Sequence, residues 1–241
     1  MSPSPTQATP SLSRRLVLRM SDRAEISDDQ AAFLEDLQAT ATAVPANRLI
    51  VSQGGPLDRV QVLQDGWLEQ SKMLPDGRKQ VVQIILPGEI VGLSGYWQET
   101  SEHAVRCLTE CRIAAFAPGR LETLFTGYPR LAAALTWYTA RAELRLADHL
   151  VNLGRRSAEE RTVHLLLELA ERLEVVGLDG RGRMEVPLSQ QTLADALGLS
   201  PVHQNRVLGR LRRRGLLETE PGRLVVDVPA LRGSDEVVDG R

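Results

Sequence analysis

The chain has 241 residues, 29 of them basic and 31 acidic, for a formal charge of −2, and 42% of it is hydrophobic. These proportions suit a folded chain with room for two modest domains and exclude a disordered, collagenous or disulfide-stapled one, since Cys107 and Cys111 are its only cysteines. No apolar run approaches the ~18 residues that cross a bilayer, and the N-terminus lacks a secretory-type apolar core, so a cytoplasmic location without membrane contact is expected.

Residues 1–22 open on a Ser/Pro/Thr-rich run too poor in apolar surface to offset its ordering entropy, and are expected to form a disordered tail. Ser27 to Thr40 has an N-cap serine, acids in the first turn and apolar residues at 33, 34 and 37, the pattern of a short amphipathic helix. From Val44 the period shortens. The segments RLIV, RVQVL, WLEQ, KQVVQIIL, HAVRCL and CRIAAF alternate or are β-branched, and Gly55, Gly66, Gly77 and Gly88 punctuate them at intervals of eleven. Strands at that spacing, with Asp-Gly and Pro-Gly turns, predict an antiparallel sandwich or roll over 23–125. If Cys107 and Cys111 lie on one unbroken strand, alternation puts both on the same face.

Helical periodicity returns at Leu121. Beyond Pro129, Leu131, Leu135, Tyr138 and Ala142 follow four-three-four spacing, and Leu146, Leu150 and Leu153 resume it on a shifted stripe. A narrow apolar seam on a helix over 126–154 buries poorly alone, so these seven residues predict a partner helix; the alternative is packing onto the chain's own β-domain. GRRS at 154–157 reads as a hinge, and Ser157 with Glu160 forms a capping box for a helix over 158–173.

The stretch VPLSQQTLADALGLSPVHQNRVLGRLRRRGLL reads as a helix-turn-helix. Ser189 caps a short helix with Leu193, Ala194 and Leu197 inward, and Gly198 ends it. Ser200 caps a second helix with Pro201 at its first position, where a missing N–H costs nothing. Val207, Leu208 and Leu211 share the inward face with Gln204, polar at a normally apolar position and accounted for only by partial exposure. Asn205, Arg206 and Arg210 project elsewhere. Between Gly198 and Arg214 stand five arginines and no acid, a patch that attracts phosphates, so double-stranded DNA is the expected partner. The amides from Ser200 to His203, assisted by Gln190, and the guanidiniums of Arg210, Arg212 and Arg213 suit the DNA backbone. LLETEPGRLVVDV adds two strand-like runs about a Pro-Gly turn, the wing of a DNA-binding domain over 155–233, and residues 234–241 are expected to fray.

The runs LSQQTLADALGLSPVHQNRVLGRLRRRGLL, RRSAEERTVHLLLELAERL and LPGEIVGLSGYW together resemble the Crp/Fnr superfamily of bacterial transcription regulators, over about residues 45–230 and with the DNA-binding part closer to the Fnr branch. The resemblance implies an α+β chain with an N-terminal β-roll (a cyclic-nucleotide-binding-like jelly roll), a long dimerisation helix and a C-terminal winged helix-turn-helix. It implies a homodimer on a near-palindromic promoter site, RNA polymerase as a further partner, and an effector of unknown identity in the β-roll. Base edges would be read from Val202, Asn205, Arg206 and Gly209: Arg206 suits guanine, Asn205 adenine, and Val202 a thymine methyl. Most well-studied members carry a glutamate where Val202 stands, so their usual half-site does not transfer.

Two effectors known in the family are not expected. Leu93 occupies the place of the glutamate of the cyclic-nucleotide cassette, Ser101 and Glu102 that of its Arg-Ser pair, and Leu146 and Ala147 that of the adenine-contacting hydroxyls; a carboxylate at the phosphate position repels the ligand. An iron–sulfur cluster needs four thiolates, most of them N-terminal, and that segment has none. His103 and His149 lack metal-ligand spacing, so neither a cofactor nor a metal is expected. Cys107 and Cys111 are either two small core residues or a redox-sensing pair beside Arg106 and Arg112. A different class of reading is a regulatory module acting through protein partners. No catalytic arrangement of carboxylates, triad or phosphate loop occurs, so an enzyme is not expected.

Overall fold

A computed structural model describes residues 11–21, 25–178 and 180–238. Eight strands build the N-terminal roll: β1 (Thr42–Val44), β2 (Leu49–Val51), β3 (Val60–Asp65), β4 (Leu68–Met73), β5 (Lys79–Ile85), β6 (Ile90–Val91), β7 (Ala104–Cys107) and β8 (Cys111–Phe116). They form two four-stranded antiparallel sheets, in the orders β1-β8-β3-β6 and β2-β7-β4-β5. The inward residues of the alternating strands, among them Leu63, Leu68, Ile85, Val105 and Ile113, close the core between them. Gly88 turns the chain at φ +82, and a Cβ there would meet the Arg15 carbonyl oxygen at 2.7 Å, so the close approach itself requires glycine.

The two cysteines do not share a strand. β7 ends at Cys107 and β8 begins at Cys111; the Leu108 amide donates to the Trp67 carbonyl at 2.8 Å as the last rung of the β4–β7 pairing, and the chain then bends through the intervening residues into β8. Both are free thiols buried in the roll's core.

The N-terminal segment departs from the expected tail. Within residues 11–21 the chain forms a helix, α1 (Arg14–Ser21), which buries Leu16, Val17 and Met20 against α2 (Asp28–Asp36) and the helix that follows the roll. The run RRLVLRMS carries its own amphipathic stripe, and averaging its composition with the Ser/Pro/Thr-rich lead hides it. Residues 1–10 lie outside the described residues. Arg15 donates to the Gln64 carbonyl at 2.7 Å and pairs with Asp65, while Arg19 donates to the Pro87 carbonyl, so α1 is pinned to the turns of the roll.

After β8 come α3 (Arg120–Gly127) and the long α4 (Pro129–Arg155), with Pro129 at the first helical position. Gly154, expected in a hinge, lies inside α4, and only Arg156 and Ser157 separate α4 from α5 (Ala158–Val175). The C-terminal half continues with β9 (Arg183–Val186), α6 (Gln190–Leu197), α7 (Pro201–Arg213), β10 (Leu217–Glu220) and β11 (Arg223–Asp227), the three strands pairing as β10-β11-β9. The expected fraying at 234 does not occur there. α8 (Val228–Val238) carries the backbone on to 238 and buries Leu231 in the core of this half, and residues 239–241 lie outside the described residues.

Three of the residues expected to face a partner helix are turned the other way. Leu131, Leu135 and Tyr138 pack with Val60, Val62 and Phe116 of the roll and with α1 and α2, leaving Leu131 only 1% exposed. The chain's own β-domain, with α1 added, offers them more apolar surface than one helix would, and the spacing does not distinguish the two.

The two halves share a core. Trp67, Val81, Ile84 and Leu86 of the roll pack with α5, α6 and the three-stranded sheet. Glu89, 1% exposed, sits at the junction: Arg172 of α5 holds it at 2.6 Å and Arg19 of α1 at 3.7 Å. Burial raises the pKa of this carboxyl, but the two guanidiniums outweigh it and hold the value at about 2.

Candidate nucleic-acid interface

Local sequence fixes the ends of α6 and α7. The Ser189 hydroxyl accepts from the Thr192 amide at 3.0 Å and the Ser200 hydroxyl from the His203 amide at 3.2 Å, so each serine answers one orphan donor of its helix. Gly198 ends α6 in the left-handed region at φ +63, which turns the chain into α7. Val207, Leu208 and Leu211 are fully buried and anchor α7 to the core.

Gln204 is fully buried beside them rather than partly exposed. Its Nε2 makes a 3.4 Å contact with the Thr162 hydroxyl of α5, and its Oε1 has no partner. A wholly apolar inner face is therefore interrupted by one polar link between α5 and α7.

The opposite face of α7 is open. Val202, His203, Asn205 and Arg206 are exposed, and Gly209, half-buried, leaves a gap one turn further on. Gln190 is exposed at the start of α6, and Ser200 keeps its O–H free to donate while its oxygen caps α7. Arg212 and Arg213 are exposed at the C-terminal end; Arg212 donates to the Thr219 hydroxyl of β10 at 3.3 Å. Arg210 does not join them. Its guanidinium is held by Glu159 of α5 at 2.8 Å, and Arg214 binds the other oxygen of the same carboxylate. Those two hydrogen-bonded arginines outweigh burial and keep the Glu159 pKa below its ordinary value. Glu159 escapes a reading of the patch because it lies some fifty residues upstream, in the first turn of another helix.

The remaining predicted positions are reported by place. Ala142 and Leu153 of α4 are half-buried, whereas Leu146 and Leu150 are exposed. Ser101 closes its hydroxyl onto the His103 carbonyl at 2.7 Å, and the exposed Glu102 carboxylate pairs with Lys72 at 2.9 Å. Burial, reinforced by the neighbouring Cys111, pushes the Cys107 thiol up to about 12, which opposes formation of a reactive thiolate. Among the described residues no group of three metal-ligating side chains occurs, and no helix is long and apolar enough to cross a membrane.

Comparison with known proteins agrees with this arrangement. The family model described as the Crp-like helix-turn-helix domain matches residues 144–233, and that of the cyclic nucleotide-binding domain matches residues 32–128. The chain is 33% identical to the nitrogen fixation regulation protein FixK of Azorhizobium caulinodans over 66% of its own length and 64% of that relative, so the match spans just under two thirds of FixK. It is 25% identical to the transcriptional activator protein FnrL of Cereibacter sphaeroides over 90% of this chain and 87% of FnrL. Among solved structures, FixK2 from Bradyrhizobium japonicum superposes with a TM-score of 0.70 at 28% identity, covering 81% of this chain and 96% of that one. The roll matched by the cyclic nucleotide-binding model, the long helix and the capped, basic helix-turn-helix occur together in one chain, and the chain belongs to the Crp/Fnr superfamily of transcription regulators.

Proposed function

We propose that the chain acts as a homodimeric transcription regulator that binds a near-palindromic DNA site through α7, and not as an enzyme. The observation that carries this is the division of α7 into a fully buried face, apolar but for Gln204, and an exposed face bearing Asn205 and Arg206, with Arg212 and Arg213 at its end. Arg206 would read guanine, Asn205 adenine and Val202 a thymine methyl, with Gly209 leaving room for base edges to approach, while Gln190, Ser200, His203, Arg212 and Arg213 would hold phosphates. RNA polymerase and a cytoplasmic setting belong to the same reading.

The partner seam on α4 differs from the one the leucines suggest. Ala133, Trp137, Ala140, Leu144, Ala147, Val151 and Gly154 repeat at alternating four- and three-residue steps; six are exposed and Trp137 is half-buried. Large and small residues alternate along this stripe, which suits close approach of a second α4 and would set two copies of α7 about one DNA turn apart.

The roll is not proposed to hold a cyclic nucleotide. At the position of the phosphate-binding pair, the Ser101 hydroxyl is closed onto its own backbone and Glu102 presents a carboxylate. No iron–sulfur cluster is proposed either, because neither thiol is exposed.

The test is a fluorescence-anisotropy titration against a duplex selected from random sequence and against a scrambled duplex. Arg206→Ala should lose about 1–3 kcal/mol of discrimination. Undiminished discrimination in that variant would remove Arg206 from base reading, and no salt-dependent binding by the wild type would remove the function.

A further inference from the structure

Of the seven buried polar atoms without a hydrogen-bond partner among the described residues, three lie on one helix. Arg145, His149 and Asn152 recur on α4 at steps of four and three and so share a face. Each carries an atom shielded from solvent and without a hydrogen-bond partner: Arg145 Nη2, His149 Nε2 and Asn152 Oδ1. Asn152 is 4% exposed, and its amide nitrogen donates to the Arg161 carbonyl at 3.2 Å, which fixes the side chain. A buried polar atom left unpaired costs about 1–3 kcal/mol, so three on one helix face mark a place where water, a second copy or a ligand supplies the missing bonds.

All three line a cleft between α4 and α5. Two adjoining cavities of about 360 and 350 Å³ run along it and share Arg145, Asp148, Glu168 and Glu171. Glu168 is taken by Arg172 at 2.8 Å, whereas Asp148 and Glu171 have no ion-pair partner among the described residues. The cleft therefore presents a guanidinium without an ion-pair partner, two exposed carboxylates likewise unpaired, and a fixed amide oxygen. A simple anion would meet Asp148 and Glu171; a simple cation would meet Arg145.

We propose that this cleft binds a small zwitterion of the α-amino-acid class, its carboxylate on Arg145 and its ammonium group against Asp148, Glu171 and the Asn152 amide oxygen. Charge-assisted bonds at both ends set the specificity, and the volume admits a molecule of that size. The ligand touches α4, which packs on the roll, and α5, which opens the DNA-binding half, so it stabilises the arrangement in which both close on it. Only this last consequence rests on the regulator reading.

The experiment uses the full chain, thermal melting and titration calorimetry, with the twenty L-amino acids as probes and acetate and methylammonium as single-charge controls. At least one amino acid is expected to raise the melting temperature saturably at one molecule per chain, with no comparable effect of either control. Arg145→Met and, independently, Glu171→Gln should each weaken that binding at least tenfold. The ligand-free melting temperature of Arg145→Met should be unchanged or higher at neutral pH, because no hydrogen bond or ion pair is lost and the more distant attraction to Glu89 is offset by relief of repulsion from Arg19. The proposal is overturned if no amino acid binds or if acetate alone suffices. It is equally overturned if Arg145→Met melts earlier without ligand or falls apart into protomers, since the atoms are then already answered by water or by a second copy. DNA binding followed in the same samples separates the two ideas: failure here with a normal shift leaves the regulator reading intact.

Discussion

The two halves of α4 are built from similar residues and meet different surroundings. Leu131, Ala134, Leu135 and Tyr138 are sealed against the roll, α1 and α2, whereas Leu144, Leu150 and Val151 lie on an open surface, Leu150 being 70% exposed. Tyr138 marks the boundary: its phenol oxygen accepts from the Ile90 amide at 3.1 Å, beside the buried Glu89. Periodicity says that a helix has an apolar face; only the supply of apolar surface nearby decides whether the chain itself or another copy covers it. The first half therefore carries folding energy and the second is free to carry association.

Truncation separates those roles most sharply. Leu131→Ala should cost about 2–5 kcal/mol of folding stability, read as a lower urea midpoint, with no change in the self-association of the folded fraction. A midpoint shift below half a kcal/mol would mean that the closed half is not closed in solution.

Acid attacks the same half from its end. The Glu89 carboxyl sits at about 2 against an ordinary 4.5, so its contribution is fully present above pH 4.5 and is lost as pH falls toward 2. The difference amounts to roughly 3 kcal/mol, felt where Arg19 and Arg172 tie α1 and α5 to the roll. Denaturant midpoints at pH 5 and pH 2.5 should differ by less in Glu89→Gln than in the wild type, and equal differences would show that the pairing contributes nothing.

The open half should respond in association instead. Leu144→Glu places a charge in the proposed seam and is expected to raise the dissociation constant of the dimer at least about tenfold, near 1.4 kcal/mol, in sedimentation velocity. Leu131, Leu135 and Tyr138 cannot produce that effect without unfolding the chain first.

What sequence discloses follows from the range of the interaction. Caps are local, and Ser157, Ser189 and Ser200 each make the bond their spacing implies. The strands are legible because alternation and turn glycines recur every eleven residues. The seam is not, because four of its seven positions are alanine or glycine and carry little hydrophobic signal, while leucines of the wrong stripe carry much. Nor is α1, whose burial depends on a roll that begins some twenty residues beyond its end, nor the Arg19–Glu89–Arg172 cluster, drawn from three distant segments. In the DNA-facing helix the open positions follow from helix geometry, but the loss of Arg210 to Glu159 is again a long-range event.

That loss extends the contrast between satisfied and open faces to the arginines of α7, where the expected effects are smallest. Arg213 is exposed at the end of the helix, while Arg210 is half-buried and held at 2.8 Å by Glu159. A guanidinium already neutralised by a carboxylate displaces few counterions from DNA, so it adds little to the salt dependence of binding. Arg213→Ala should therefore weaken binding to all duplexes alike and flatten the slope of log affinity against log salt by about 0.9, whereas Arg210→Ala should leave the slope nearly unchanged. Anisotropy titrations across a salt series measure both. Equal slopes for the two variants would mean that Glu159 releases Arg210 when DNA arrives, and the open face of α7 would then be wider than the free chain presents.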